Sequence, residues 1–285
     1  MEFLNKILVR QADILVQRKQ ITPQDTLLAK VADMPPTLGF AKALRNSSNT
    51  PEPRTSIIAE MKKASPSAGL IRQNYSAADL ARSYADNGAS CISVLTNEHF
   101  AGEDAHLLQV RERVSIPLLR KDFIIDAYQV YETRALGADA LLLIVAALKD
   151  EELAELGSLG LQLGLDILFE SHSLEEAQRS LVVTKQIFTQ LSQISKLANE
   201  SAEVILGVNS RDLHNFKINL PRAMEIISYL KQNCDHLVVA ESGIKSPADI
   251  NDFTKAGANG FLIGEVLMRA DDPGAALDSF LSLTS

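Results

Sequence analysis

Eight short apolar runs, each followed by a stretch of helical periodicity, constrain this chain more than any other feature. The runs are Ser56–Met61, Cys91–Leu95, Pro117–Arg120, Ala140–Val145, Leu165–Phe169, Val204–Val208, Leu237–Ala240 and Gly260–Ile263. Each is nearly continuous in hydrophobicity, the pattern of a parallel strand buried on both faces. Asn87-Gly88-Ala89, Leu136-Gly137-Ala138 and Ala256-Gly257-Ala258 precede three of the runs, and Gly there suits a helix C-cap before the chain re-enters a sheet. Eight strand–helix units with right-handed crossovers predict an α/β fold, a closed (β/α)8 TIM barrel. An open doubly wound sheet is the alternative, and the lack of a G-x-G-x-x-G after the first strand counts against it.

The first fifty residues follow a different rule. Phe3, Leu4, Ile7, Leu8, Ile14 and Leu15 recur at helical spacing. Thr22-Pro23 reads as an N-cap with Pro at N1, opening a second helix through Leu27 and Leu28. Thr37 reads as the cap of a third, through Phe40 and Leu44, and the polar, Pro-containing segment Asn46–Arg54 as a linker. Residues 1–50 are therefore expected to be a helical extension of one barrel domain spanning 1–285. Between the fifth and sixth runs, Leu174–Glu203 is longer than one crossover needs. Ile187, Leu191, Ile194 and Leu197 predict an extended or additional amphipathic helix there.

Composition narrows the function. With 46% apolar and 22% charged residues, the chain has the makings of a large core, aliphatic because Trp is absent and aromatics are few. A net charge of −8, with no basic cluster longer than Met61-Lys62-Lys63 or Leu119-Arg120-Lys121, argues against a nucleic-acid surface. An anionic ligand would need backbone N–H groups and a few focused cations. Cys91 and Cys234 are far apart and outside any C-x-x-C spacing, so neither a disulfide framework nor a zinc ribbon is expected; Cys91 reads as a small core residue. The five histidines show no ligand spacing, so no metal is expected; His172 is near enough to Glu170 to reach the site, but is read as a loop residue without a role. No signal-peptide pattern and no membrane-length apolar stretch is visible, so a cytoplasmic protein with no membrane partner is expected.

In a barrel of this kind the active site lies at the C-terminal ends of the strands. Read in order, those ends carry Glu60 and Lys62, Thr96, Lys121, the apolar Ile144 and Val145, Glu170, Asn209-Ser210-Arg211, Glu241-Ser242-Gly243 and Gly264-Glu265. One charge at a strand end is ordinary as the first solvated residue. Glu60, Lys62, Lys121, Glu170, Arg211 and Glu241 together would converge on one mouth, as an active site or as an ion-pair network around the rim. Ser242-Gly243-Ile244 and Gly264-Glu265 follow the seventh and eighth strands, where barrels of this type hold phosphate. The alternative is that both are tight turns needing Gly for their geometry. Ser65, on the first loop, would add a hydroxyl donor.

The residues also carry a resemblance. Ile-Ile-Ala-Glu-Met-Lys-Lys-Ala-Ser-Pro-Ser (57–67), Leu-Leu-Arg-Lys-Asp-Phe-Ile-Ile-Asp (118–126), Gly-Val-Asn-Ser-Arg-Asp-Leu (207–213), Ala-Glu-Ser-Gly-Ile (240–244) and Phe-Leu-Ile-Gly-Glu-Val-Leu-Met-Arg (261–269) resemble, in order, the signatures of indole-3-glycerol-phosphate synthases. The likeness spans essentially the whole chain, including the helical extension. It implies a cofactor-free lyase of tryptophan biosynthesis. Such an enzyme converts 1-(2-carboxyphenylamino)-1-deoxyribulose 5-phosphate to indole-3-glycerol phosphate by ring closure, decarboxylation and dehydration.

The resemblance also implies roles. Lys121 is the general acid toward the ketone oxygen, and Glu170 the base in the dehydration. Lys62 contacts the substrate carboxylate and is a rival acid, with Glu60 as its carboxylate partner. Asn209 and Arg211 position the anthranilate and polar groups, and Glu241 and Ser242 belong to the substrate site. Ser65, Gly243, Gly264 and Glu265, the last through its backbone, match phosphate positions. Phe100, Phe123 and Leu262 are candidates for apolar walls, though either Phe serves equally well as core. The partner implied is a small phosphosugar, on a monomer or weak homo-oligomer. Two departures stand out: Phe100-Ala101-Gly102 where the family often has adjacent aromatics, and Ala68 where many members carry a basic residue. Phosphoribosylanthranilate isomerase, another phosphosugar barrel, would not require both Lys121 and Glu170. A ligand-sensing barrel without activity would be expected to lack a charged strand-end residue.

Overall fold

The computed structural model describes residues 2–48, 54–66, 68–194, 202–213 and 215–281. Its strands are β1 (Ile57–Met61), β2 (Cys91–Leu95), β3 (Leu118–Lys121), β4 (Ala140–Ile144), β5 (Asp166–Ser171), β6 (Val204–Asn209), β7 (Leu237–Glu241) and β8 (Gly260–Ile263). They pair in chain order, all parallel, and β1 pairs with both β2 and β8 to close the (β/α)8 barrel. All eight predicted runs are strands, several of them shifted toward the C-terminus. Glu170, Asn209 and Glu241 are therefore the last or near-last residues within strands, held by ladder pairs such as Ile144 with Glu170 and Asn209 with Glu241.

Three helices precede the barrel: α1 (Glu2–Ile21), α2 (Gln24–Ala32) and α3 (Phe40–Ser48). The crossovers carry α4 (Ala77–Asp86), α5 (Asp104–Arg111), α6 (Ala127–Ala135), α7 (Asp150–Gln162), α8 (Leu174–Ile194), α9 (Leu220–Asn233) and α10 (Pro247–Ala256), and α11 (Glu265–Arg269) and α12 (Pro273–Leu281) follow β8. Local sequence sets many of these ends. Asp126 and Asn219 accept hydrogen bonds from the backbone of Tyr128 and Arg222 at the starts of α6 and α9. The glycines of the Gly-Ala pairs have φ of 90° (Gly88), 85° (Gly137) and 111° (Gly257), the left-handed turn that returns the chain to the sheet. Among the described residues, no helix is long and apolar enough to cross a membrane.

Strand alternation sorts the core into two layers. Ile57, Ala59, Ile92, Leu118, Leu141, Ile167, Leu206 and Val238 point outward to the helices. Ile58, Cys91, Leu119, Leu142, Leu168, Ile205, Val239 and Leu262 fill the interior. The interior layer also includes residues of the N-terminal helices. At the base, Phe40, Ala41 and Leu44 of α3 close the barrel. Asp166 accepts from the backbone of Ala41 (2.8 Å) and Glu203 (2.6 Å), and Asp139 from that of Leu38 (2.7 Å) and Leu118 (2.8 Å). At the mouth, Leu4 and Ile7 of α1 join Phe123 and Ile144.

Several sequence readings of this extension need correction. Pro23 lies just outside α2 rather than at its first helical position, and the Thr22 side chain caps nothing there. The Thr37 hydroxyl donates to the Gly164 carbonyl at 2.7 Å, so it anchors the chain to the barrel base instead of capping α3. Residues 46–48, read as linker, continue α3; residues 49–53 lie outside the described part. The long fifth crossover is one extended helix, α8, with Ile187 and Leu191 buried in the helix layer. Leu197 lies outside the described residues.

A buried ion cluster ties α1 to the strand that carries Lys121. Because Lys121 points inward, its neighbour Arg120 points outward and is fully buried. Its Nη2 lies 2.8 Å from both Asp104 and Glu132, and its Nη1 3.2 Å from the Thr133 hydroxyl. Arg18 of α1 reaches the same two carboxylates, each at 2.7 Å. Removing Arg120 leaves the buried Asp122 without this cation and Asp104 and Glu132 with Arg18 alone. Arg120→Leu is therefore expected to lower unfolding free energy by about 3–5 kcal/mol in equilibrium urea denaturation. A loss below about 1 kcal/mol would mean that the cluster behaves like a surface pair.

Candidate active site

The alternation that buries Ile58, Leu119, Leu168 and Val239 carries the next inward positions, Glu60, Lys121, Glu170 and Glu241, to the C-terminal end of the barrel. All four line one cavity, with Lys62, Asn209 and Arg211. The convergence read from the strand ends is present. Lys121 Nζ lies 2.9 Å from Glu170 Oε2 and 2.7 Å from Glu241 Oε2. Lys62 Nζ lies 2.7 Å from Glu60 Oε1.

The electrostatics follow from these contacts. Burial disfavours the Lys121 ammonium, but Glu170 and Glu241 outweigh it and hold the lysine well above its usual range. Burial pushes Glu170 up; Lys121, and then His172, more than reverse this, so it is ionised well below the usual carboxylate range. Glu241 shares the same ammonium and faces the ionised Glu170. Burial and that repulsion raise it to about 8. Glu60 also overcomes burial through Lys62 and Lys121 and is lowered. At neutral pH the cluster thus holds a charged ammonium and an ionised base in contact.

Two glycines make room for the acids. A Cβ on Gly207 of β6 would stand 2.3 Å from Glu241 Oε1, and one on Gly264 would stand 2.5 Å from Glu60 Oε1. Gly264 was read from the sequence for its backbone alone; its missing side chain also seats Glu60.

Much of the remaining lining is apolar and interleaved with the charged residues, as in the register pairs Leu262 with Glu241 and Ile144 with Glu170. Phe100, Phe123 and Leu262 line the cavity, and Phe123 and Leu262 are also buried in the interior core, so wall and core are the same residues here. Leu142 and Ile144 of β4 complete it, which explains why that strand ends without a charge. Phe3 of α1 and Phe216, in the loop after β6, also line it and meet edge to face at 4.9 Å between ring centroids. The sequence reading missed both. Phe3 looks like one more residue of an amphipathic stripe, and no local pattern marks Phe216, which adopts a φ of 58°.

Ser242, Gly243, Gly264 and Glu265 line a second cavity that shares Glu60, Lys62, Arg211 and Leu262 with the first. Ser242 and Gly243 turn with φ of 65° and 80°. Lys245 and Arg269 add two cations that the sequence reading did not single out. Arg211 stands between the cavities: Nη1 donates to the Phe216 carbonyl (3.2 Å), Nη2 lies 3.4 Å from Glu265 Oε2, and its backbone N–H donates to Asn209 Oδ1 (3.0 Å). Ser65 lies on the first cavity, where its hydroxyl accepts from the Ala68 backbone at 3.1 Å. Ser67 of the same loop is outside the described residues.

His172, to which the sequence reading gives no role, also belongs here. It is in the loop after β5, as expected, but it is buried with Nε2 3.1 Å from Glu170 Oε1.

A family model described as indole-3-glycerol phosphate synthase matches residues 4–280. Among solved structures, the chain is similar to tryptophan synthase subunit alpha from Legionella pneumophila str. Paris, with a TM-score of 0.57 and 15% identity over 86% of this chain and 97% of that one. It is also similar to thiamine phosphate pyrophosphorylase from Pyrococcus furiosus (TM-score 0.51, 16% identity, 79% of this chain and 93% of that one). A mandelate oxidase variant with an FMN adduct aligns at a TM-score of 0.53 and 13% identity, over 78% of this chain and 69% of that one. At these identities the three structures share the barrel fold and nothing further.

The Gly207 packing makes a direct prediction. Gly207→Ala should displace the Glu241 carboxyl from Lys121 while leaving the barrel folded. A misplacement of this size is expected to lower kcat by roughly 10- to 100-fold, read in a steady-state assay beside circular dichroism. Unchanged turnover would show that the Glu241–Lys121 contact is dispensable.

Proposed function

The chain belongs to the indole-3-glycerol phosphate synthase family, and from that premise we propose that Lys121 and Glu170 are its acid and base, with Lys62 as second proton donor. The activity is that of a carboxy-lyase: it converts 1-(2-carboxyphenylamino)-1-deoxyribulose 5-phosphate to indole-3-glycerol phosphate, CO2 and water. The single observation that supports the residue assignment is the Lys121–Glu170 contact of 2.9 Å inside a cavity lined in large part by apolar side chains.

The chemistry needs three proton movements. In the first step the ring carbon that bears the carboxylate attacks the ketone carbon, and the C=O π pair moves onto oxygen. Lys121, protonated at neutral pH because the ionised Glu170 and the Glu241 carboxyl face it, donates to that oxygen as its charge develops. CO2 then leaves with its bonding pair returned to the ring, which restores aromaticity. In the dehydration the new hydroxyl departs as water after protonation, for which Lys62 is placed beside Glu60. Glu170 removes a proton from the neighbouring CH2, and the pyrrole double bond forms. Two protons are delivered and one is taken back, which matches the net uptake of one proton when a carboxylate leaves as CO2.

The walls serve the same sequence. Phe100, Phe123 and Leu262 sandwich the anthranilate ring, and Asn209 and Arg211 orient its polar substituents. Contacts equally strong in the ground and transition states would not speed decarboxylation, so the carboxylate is held lightly, by Lys62, beside apolar surface. Glu241 and Ser242 face the ribulose hydroxyls. The phosphate is received by the backbone of Gly243, Gly264 and Glu265, with Ser65 closing from the first loop. A small phosphosugar is thus the partner.

Lys121→Ala tests the assignment with the fluorescence of the indole product as readout. The expected result is a fall in kcat of about 10²- to 10⁴-fold with KM changed by no more than a few fold. A raised KM with kcat intact would make Lys121 a binding residue and overturn the assignment.

A further inference from the structure

His172 takes no part in the steps above, yet the fold invests several contacts in placing it. Its side chain is buried, 6% exposed, with Nε2 3.1 Å from Glu170 Oε1 and Nδ1 3.4 Å from Glu176 Oε2. Lys121 holds the other oxygen of Glu170, Oε2. The base is therefore gripped from both sides. The turn from β5 into α8 builds this grip, because only His172 and Ser173 lie between the two elements. Ser173 Oγ accepts from the Glu176 backbone at 3.1 Å, and Glu176 Oε2 accepts from the His172 backbone at 2.7 Å. That reciprocal pair fixes the Glu176 carboxylate against the ring. A neutral imidazole has one N–H; only the protonated ring can offer an N–H to a carboxylate at each nitrogen.

We propose that His172 is a positioning residue for Glu170: held between Glu176 and Glu170 as an imidazolium, it orients the Glu170 carboxylate and keeps it ionised for proton abstraction. The inference rests on the reading of Glu170 as the base. Glu170 faces Lys121 from β3, Glu241 from β7 and Glu60 from β1 besides His172, and His172 faces Glu170 and Glu176. Burial works against a charged ring, but the two carboxylates beside its nitrogens prevail and raise His172 to about 9. In return the imidazolium adds to Lys121 in holding Glu170 low. Taking away that cation makes Glu170 easier to protonate, so the acidic limb of kcat must move to higher pH.

The test compares kcat and KM across pH for the full chain and for His172→Gln, Glu176→Gln and Glu170→Gln. Gln at 172 retains a donor toward Glu170 and removes the charge. The expected result for His172→Gln is an acidic limb shifted upward by about one pH unit, the effect of losing one close charge, with KM within about twofold of wild type. Glu176→Gln, at a half-buried position, shifts the limb in the same direction by less. Superimposable acidic limbs, or a loss of kcat equal at every pH, would overturn the proposal and leave the ring a packing element. NMR of the wild-type His172 ring gives an independent readout should His172→Gln fail to fold. Protonation persisting above pH 8 is expected; titration near the ordinary value of about 6.5 would overturn the proposal. Glu170→Gln separates the two levels. If it turns over like wild type, Glu170 is not the base; if it is inactive while His172→Gln has an unshifted limb, only the role of His172 falls.

Discussion

An ammonium ion buried at the end of an aliphatic barrel is tolerable only where carboxylates meet it, and Lys121 sets the terms for the rest of the site in this way. Two acids come to it from strands on other sides of the barrel, Glu170 and Glu241. Paired so, the lysine stays protonated and Glu170 stays ionised; the excess proton falls to Glu241, which has the same ammonium but no imidazole beside it. The arrangement needs space that an ordinary strand residue would fill. Gly207 and Gly264 supply it; the sequence reading singles out Gly264 for phosphate, and neither glycine for the room it leaves an acid.

The N-terminal extension is built into this arrangement. It runs along both ends of the barrel: α3 seals the base with Phe40, Ala41 and Leu44, and α1 borders the mouth with Phe3, Leu4 and Ile7. Arg18 fastens α1 to Asp104 and Glu132, the same acids that neutralise Arg120. Adjacent residues of β3 thus face opposite ways into two charge clusters, one structural and one in the cavity. The period of two along a strand makes that division unavoidable. It also couples the stability of the strand to the placement of its lysine.

One cavity combines charged and apolar lining. Ring closure and dehydration need charged groups in contact; loss of CO2 is favoured where the carboxylate is weakly solvated. The β4 end, Leu142 and Ile144, contributes no charge and lies in the same cavity as Lys121. The loops after β7 and β8 open on a second cavity joined to the first through Arg211 and Lys62.

The sequence by itself determined the barrel, because eight buried parallel strands leave a hydrophobic signature that survives without any tertiary information. It also determined which strand ends carry charge, and so placed Glu60, Lys62, Lys121, Glu170, Arg211 and Glu241 at one mouth. The ordered motifs from 57–67 to 261–269 identified the family for the same reason: they are contiguous in the chain. Only the tertiary structure decided which of these charges touch. The Lys121–Glu170 and Lys121–Glu241 contacts span 49 and 120 residues of sequence, and no local rule pairs them. Phe3 and Phe216 lie in distant segments and become a wall only when α1 borders the mouth. The contacts of His172 with Glu170 and Glu176 are not legible in the sequence, because a lone histidine in a short loop has no periodicity to mark where its ring points. Thr37 misled for a related reason: a hydroxyl suited to a helix cap donates instead to the Gly164 carbonyl, 127 residues away in the chain. Short-range patterns are written by burial and backbone geometry, which act within a few residues. A contact such as Lys121–Glu170 is written by the closure of the barrel, which brings the ends of separate strands together.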